Sequence, residues 1–147
     1  MAIVLGLNGK AYRNTATWGS PSWTLVSNIR DVTQNLETGE ADVTDRSGGG
    51  WRQTAATLKD GTVEFEMLWD TSDANFTAIQ AAWENSTTIE MVFLDGVITD
   101  AGNEGLRADF SVTNFSRSEA LEEAMTISVT LKPSNTANTP TWYTSTT

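Results

Sequence analysis

Apolar and polar residues alternate along several segments of the chain, as expected for strands that bury one face. In residues 62–69, the apolar Val63, Phe65, Met67 and Trp69 alternate with mostly polar residues. Four more strands are predicted, at residues 28–37, 88–94, 106–115 and 125–131. Since each strongly patterned strand keeps one polar face, the pattern indicates an antiparallel sheet with one wet side.

Local signals outside these strands predict turns and one further strand. The pairs Asp60-Gly61 and Asp95-Gly96 are typical of hairpin turns. Residues 1–7 are apolar but lack the basic region of a signal peptide, so we expect a first strand there.

One segment, residues 73–85, has the period of an amphipathic helix. Phe76, Ile79 and Trp83 share a face at helical spacing, and alanines between them favour the helix. Ser72 or Asp73 would cap its N-terminus. This face is expected to pack on the sheet.

Residues 38–57 carry no regular pattern and include the triple glycine 48–50. A compact domain seldom keeps so long a loop without a task. A mobile surface loop is the simplest alternative, but Trp51 argues against it, because a large aromatic side chain needs a surface to cover it.

These elements predict a mainly β fold, an antiparallel β-sandwich or partly closed barrel with one flanking helix at 73–85 and a long extended loop at 38–57. Residues 1–147 are expected to form a single domain, given the length of the chain. Residues 133–147 read as a C-terminal extension, whose Trp142 and Tyr143 suggest docking on this domain or a neighbour.

Charge and composition exclude several functions. With 19 acidic and 9 basic residues the net charge is −10, which disfavours tight binding of nucleic acid or anionic membranes. The absence of Cys removes disulfides and thiol chemistry and fits synthesis in the cytoplasm. The absence of His removes the commonest general base and metal ligand.

Candidate catalytic groups are few. Glu64 and Glu66 would lie about 7 Å apart on one strand face, a separation that glycosidases use, but a solvated face explains them better. Residues 70–75 lack the pattern of a calcium loop, and the glycines 48–50 are not followed by the Lys of a phosphate loop. We therefore predict no enzyme, no cofactor and no metal site.

Six tryptophans are many for this length and allow two interpretations of their role. Exposed Trp on a β-sandwich could stack on sugars, so a carbohydrate-binding module is the alternative function. Trp69 and Trp83 otherwise fit a core, while Trp51 with Arg52, and Trp142, fit a subunit interface.

The order and spacing of many short motifs resembles the major tail tube proteins of long-tailed bacteriophages, from about residue 28 to residue 142. The motifs that carry the resemblance are GEADVTDR at 39–46, GGWR at 49–52, LKDG at 58–61, VEFE at 63–66, FLDG at 93–96, GLRA at 105–108, FSVTNFSR at 110–117, LEEA at 121–124 and SVTLKP at 128–133.

This resemblance implies a structural subunit that assembles with itself into stacked, typically hexameric rings, joined by strands into a tube for DNA delivery. Related tubes occur in type VI secretion and in gene-transfer agents. It implies a virion tail location, assembly in the host bacterial cytoplasm, contacts with other tail proteins and no membrane.

By position, residues 38–57 correspond to the loop that reaches a neighbouring subunit or ring. The interface residues expected from this are Asp42, Arg46, Trp51, Arg52 and Trp142. The polar strand faces bearing Glu64, Glu66, Asp109 and Ser111 are expected to line the lumen, with ordinary outer surface as the alternative. An acidic lumen would repel phosphate, so DNA would pass without specific binding.

Overall fold

The computed structural model describes residues 3–146 of the 147-residue chain. It is mainly β, with eight strands and one α-helix among these residues. The elements are β1 (Lys10–Asn14), β2 (Trp23–Leu25), β3 (Ile29–Asp42), β4 (Thr54–Leu68), α1 (Ala74–Glu84), β5 (Thr88–Leu94), β6 (Glu104–Ser118), β7 (Thr126–Pro133) and β8 (Thr141–Thr144).

The strands form one antiparallel sheet in the order β2-β1-β5-β6-β7-β4-β3, with β8 added to the start of β6. The sheet does not close into a barrel. This confirms the predicted fold class, a β-sandwich-like protein with a flanking helix. Strands β3, β4 and β6 are long, each with 14 or 15 residues, and the outer parts of β3 and β4 extend beyond the body of the sheet.

The core lies between the sheet and α1. The alternation predicted for β4 is present, because Val63, Phe65 and Met67 are all buried. Apolar residues of β5, β6 and β7 join them, and Phe76 and Ile79 of α1 complete the cluster. Strands β4 and β7 therefore turn one face inward and leave the other for solvent or a partner, whereas part of the second face of β5 is buried in a smaller cluster of Tyr12, Val92 and Leu94.

Helix α1 begins and ends at residues that the sequence indicates. Asp73 is its N-cap, with the side chain accepting a hydrogen bond from the backbone N–H of Asn75. Trp69 meets Phe76 edge to face at 5.0 Å between ring centroids, and Phe115 stacks on Trp83. The aromatic contacts fix the helix against the ends of β4 and β6.

The segment predicted as a long loop, residues 38–57, is shorter in the structure. Strand β3 continues to Asp42 and β4 begins at Thr54, so the irregular part covers only residues 43–53. The expected turn at Asp60-Gly61 is wrong, since both residues lie inside β4 opposite Glu37 and Leu36. The polar two-sided pattern there reflects a hairpin with neither face in the core.

The chain ends also differ from expectation. Ile3 to Leu5 are exposed and form no strand, Gly6–Asn8 form a 3-10 turn, and β1 begins only at Lys10. Met1 and Ala2 lie outside the described residues, as does Thr147 in the predicted C-terminal extension. Within that extension, β8 pairs with β6, and Tyr143 packs on Trp23.

Candidate assembly surfaces

The first surface is the tip of the β3–β4 hairpin, which we call the tip (residues 42–53). Residues 54–62 of β4 pair only with β3, so the hairpin projects about 30 Å beyond the body at the usual strand rise. The tip brings together four residues predicted at an interface, Asp42, Arg46, Trp51 and Arg52. All four are exposed, and Trp51 keeps 79% of its surface accessible.

Internal hydrogen bonds give the tip a defined shape. The backbone N–H of Val43 donates to the carbonyl of Gln53, and the Gln53 N–H donates to the Thr44 hydroxyl. Gly49 and Gly50 have φ of 62° and 90°, a region that other residues avoid. The glycines therefore make a tight turn that presents Trp51 outward.

Two carboxylates serve this turn. The hydroxyl and the backbone N–H of Thr44 donate to Asp42 and hold the pKa of that carboxyl below its ordinary value. Ser47 lowers the pKa of Asp45 in the same way. Because both pKa values are lowered on folding, these bonds support the tip at neutral pH and are lost as the pH falls through the lowered values.

The second surface is the open face, which we define as the side of β3, β4, β7 and β6 turned away from the core. Glu64 is exposed on it, and Glu66 is half-buried with an oxygen 3.5 Å from the Arg30 guanidinium. Across β7 these carboxylates face Thr130 and Ser128. The resulting surface is hydrophilic and carries acidic groups.

Asp109 and Ser111 lie on the same side of the sheet, further along β6. Ser111 is half-buried, opposite Lys132 of β7. Asp109 accepts hydrogen bonds from the Thr136 hydroxyl at 2.9 Å and from the Asn138 amide at 3.0 Å. The chain after β7 thus folds back over Asp109, whereas Glu64 is left open.

A buried ion pair that the sequence reasoning missed lies next to Asp109. Arg107 of β6 donates to Glu90 of β5 at 2.7 Å and to the Trp18 carbonyl at 2.7 Å. Its guanidinium lies over the Trp18 ring, with Trp23 and Tyr143 close by. Arg107 alternates with Leu106 and Ala108 in the predicted strand 106–115, a pattern that predicts an exposed polar face; the aromatic residues that cover Arg107 are distant in the sequence. The cluster fastens β8 and the loop after β1 to the sheet.

Trp142 lies apart from the tip. It sits on β8 opposite Leu106 and is 60% exposed. The other two exposed tryptophans are on different elements, Trp51 on the tip and Trp83 stacked on Phe115. The three rings therefore do not form one shared platform.

The third surface consists of two unpaired strand edges. Among residues 3–146, strand β3 is paired with β4 alone. Strand β6 is paired with β5 up to Ser111, and beyond this point its residues 112–118 are paired with β7 alone. Unpaired N–H and C=O groups along such edges can form hydrogen bonds with a further strand.

Within residues 3–146, no group of three or more acidic side chains is arranged to hold a metal ion. No helix in this part of the chain has the length and apolar character needed to span a membrane.

The fold of residues 3–146 defines a class, an antiparallel β-protein with a flanking helix, a projecting hairpin and unpaired strand edges on β3 and β6. Residues 13–136 match the family described as phage tail tube protein, and because this match covers most of the chain, the chain belongs to that family. No curated protein sequence matches the chain.

Solved structures share the fold at low sequence identity. The tail of an empty GTA (gene transfer agent) particle, refined with C6 symmetry, has a TM-score of 0.70 at 15% identity over 95% of this chain and 98% of that chain. The SPP1 tail tube has a TM-score of 0.67 at 19% identity over 88% and 75%. The anti-feeding prophage baseplate has a TM-score of 0.59 at 7% identity over 97% of each chain.

Proposed function

We propose that the chain is a non-enzymatic structural subunit that assembles into stacked hexameric rings, forming a phage tail tube through which DNA leaves the virion. The family match supports the tail tube, and the C6 symmetry of the similar GTA tail supports the hexamer. Other tail proteins would meet its ends, and assembly would take place in the host cytoplasm.

The observation that carries the proposal is the relative direction of two strands with unpaired edges, β3 and the end of β6. Strands β3, β4, β7 and β6 are neighbours and each pair is antiparallel, so β3 and β6 run in opposite directions. In a ring of equally oriented copies, β3 of one copy therefore meets residues 112–118 of the next copy as an antiparallel pair. Such head-to-tail contacts close into a ring when the rotation fits.

The size of that ring suits a conduit. Six copies of four strands give about 24 strands, and at about 4.8 Å per strand the circumference is at least about 115 Å. The diameter is then about 37 Å before strand tilt is counted, which leaves room for a DNA duplex.

We place the open face toward the lumen, with Glu64, Glu66, Asp109 and Ser111 on it. Glu64 and Glu66 lie on β4, one of the four strands that would join around the ring. Their charge would repel the phosphates of passing DNA. Asp109 would hold the C-terminal extension beside the lumen through Thr136 and Asn138. The tip residues Asp42, Arg46, Trp51 and Arg52, with Trp142, form the proposed subunit contacts.

Electron microscopy of the purified protein in negative stain tests the proposal. We expect rings or tubes of uniform diameter from the wild-type chain. Deleting residues 47–52 should leave the circular dichroism spectrum and melting temperature nearly unchanged, because the tip contributes no core residue. The same deletion should stop tube growth, because it removes the proposed contact residues Trp51 and Arg52. A wild-type chain that stays monomeric at every concentration contradicts the proposal, and a deletion variant that polymerises normally contradicts the role of the tip.

A further inference from the structure

The tip and the loop between β6 and β7 lie at opposite ends of the same four strands. Leu68 at the end of β4 is opposite Thr126 at the start of β7, and Ser118 at the end of β6 is also opposite Thr126. The β6–β7 loop (residues 119–125) is therefore at the Leu68 end, whereas the tip is at the Thr54 end. Copies stacked by translation along the strands would bring these two ends together.

The β6–β7 loop presents an apolar side chain beside two free carboxylates. Leu121 is 99% exposed, and a turn closed by the Glu123 N–H on the Ala120 carbonyl holds it outward. Glu119 is paired with Arg117 at 3.2 Å. Glu122 and Glu123 make no ion pair with any residue of the described chain.

The tip carries the complementary set. Arg46 and Arg52 take part in no ion pair among residues 3–146. The nearby Asp42 and Asp45 carboxylates are occupied by hydrogen bonds from Thr44 and Ser47. Two unpaired guanidinium groups thus flank an exposed Trp51 at one end of the sheet, while two unpaired carboxylates adjoin an exposed Leu121 at the other.

We infer that the β6–β7 loop is the receiving surface for the tip of a second copy of this chain in the adjacent ring. Trp51 covers Leu121, and Arg46 and Arg52 pair with Glu122 and Glu123. The inference rests on the proposed ring stacking and adds the partner surface to it. We choose this loop as the partner surface because its charge is opposite to that of the tip and because both surfaces expose a large apolar side chain.

Disulfide trapping tests the contact directly, because the chain contains no Cys. The double variant W51C/L121C, oxidised at a concentration where the wild-type chain forms tubes, should give a ladder of cross-linked species on a non-reducing gel. W51C and L121C alone should give none, since the contact joins two different positions. The control variant W51C/W83C places the second Cys at an exposed position of α1 instead of the β6–β7 loop, and it should also form no cross-linked ladder.

A charge swap tests the ion pairs. E122R and R52E should each retain rings but shorten the mean tube length by more than about tenfold, because every copy in a ring repeats the lost contact. The swap E122R/R52E should restore long tubes. E122R/K59E has the same net charge but places the new acidic side chain in β4, away from the tip, so it should not restore long tubes.

The outcomes separate the inference from the function on which it rests. Rings and tubes in the wild type, a ladder only in W51C/L121C and rescue only by the matched swap support the contact. Wild-type tubes together with no ladder, or with full-length tubes in E122R, overturn the inference alone. A wild-type chain without rings overturns the proposed function and the inference with it.

Discussion

One strand, β4, passes through two different environments. In residues 63–68 every second side chain is buried under α1 and against β7, whereas residues 54–60 are mostly exposed on both faces and pair only with β3. Residues 63–68 are held in place by burial. Residues 54–60, which we call the arm, are held by backbone hydrogen bonds to β3 and by the turn at the tip. A two-stranded ribbon is marginal alone, so the arm depends on the body and, in our proposal, on a second copy.

The largest expected effect contrasts two apolar residues of that strand. Met67→Ala removes a fully buried side chain and should lower the free energy of unfolding by about 3 kcal/mol. Leu58→Ala, on the exposed arm, should change it by less than about 0.5 kcal/mol. Denaturant titration followed by circular dichroism measures both. Equal losses would mean that the arm folds as part of the core.

The buried ion pair between Arg107 of β6 and Glu90 of β5, which lies beside Tyr143 of β8, should have an intermediate effect. Glu90→Gln leaves the Arg107 guanidinium buried without its counter-charge, and we expect a loss of about 2 kcal/mol in unfolding free energy. The control Glu104→Gln changes an exposed carboxylate on the same sheet and should be neutral. If Glu90→Gln matched that control, the aromatic residues around Arg107 alone would hold the C-terminal extension.

The smallest effect concerns the turn within the tip. Gly50→Ala puts a Cβ on a residue with φ of 90° and should weaken the tip locally by about 1 kcal/mol, with the global melting temperature unchanged. Amide hydrogen exchange at Val43 and Gln53 reports this opening. Gly19→Ala, at an open site without positive φ, serves as the neutral control. Unchanged exchange in Gly50→Ala would show that the turn tolerates another geometry.

Several features could be read from the sequence because they rest on local pattern. The helix was located to within one residue at each end, since its apolar spacing and Asp73 cap lie within a few residues of each other. Strand β5 was located without error for the same reason. The outer part of the β3–β4 hairpin cannot be predicted as strands, because a hairpin with both faces in water has no apolar–polar alternation. The pair Asp60-Gly61, although typical of a turn, lies inside β4.

By itself, the sequence determined the mainly β class, the flanking helix, the acidic character and the likeness to tail tube proteins, all of which depend on residue type and short-range order. Only the tertiary structure decided which edges remain unpaired, that Arg107 is buried against Glu90, and that Trp51 and Leu121 stand at opposite ends of one sheet. These properties depend on strand pairing between residues far apart in the chain, and a short-range pattern carries no information about such pairing.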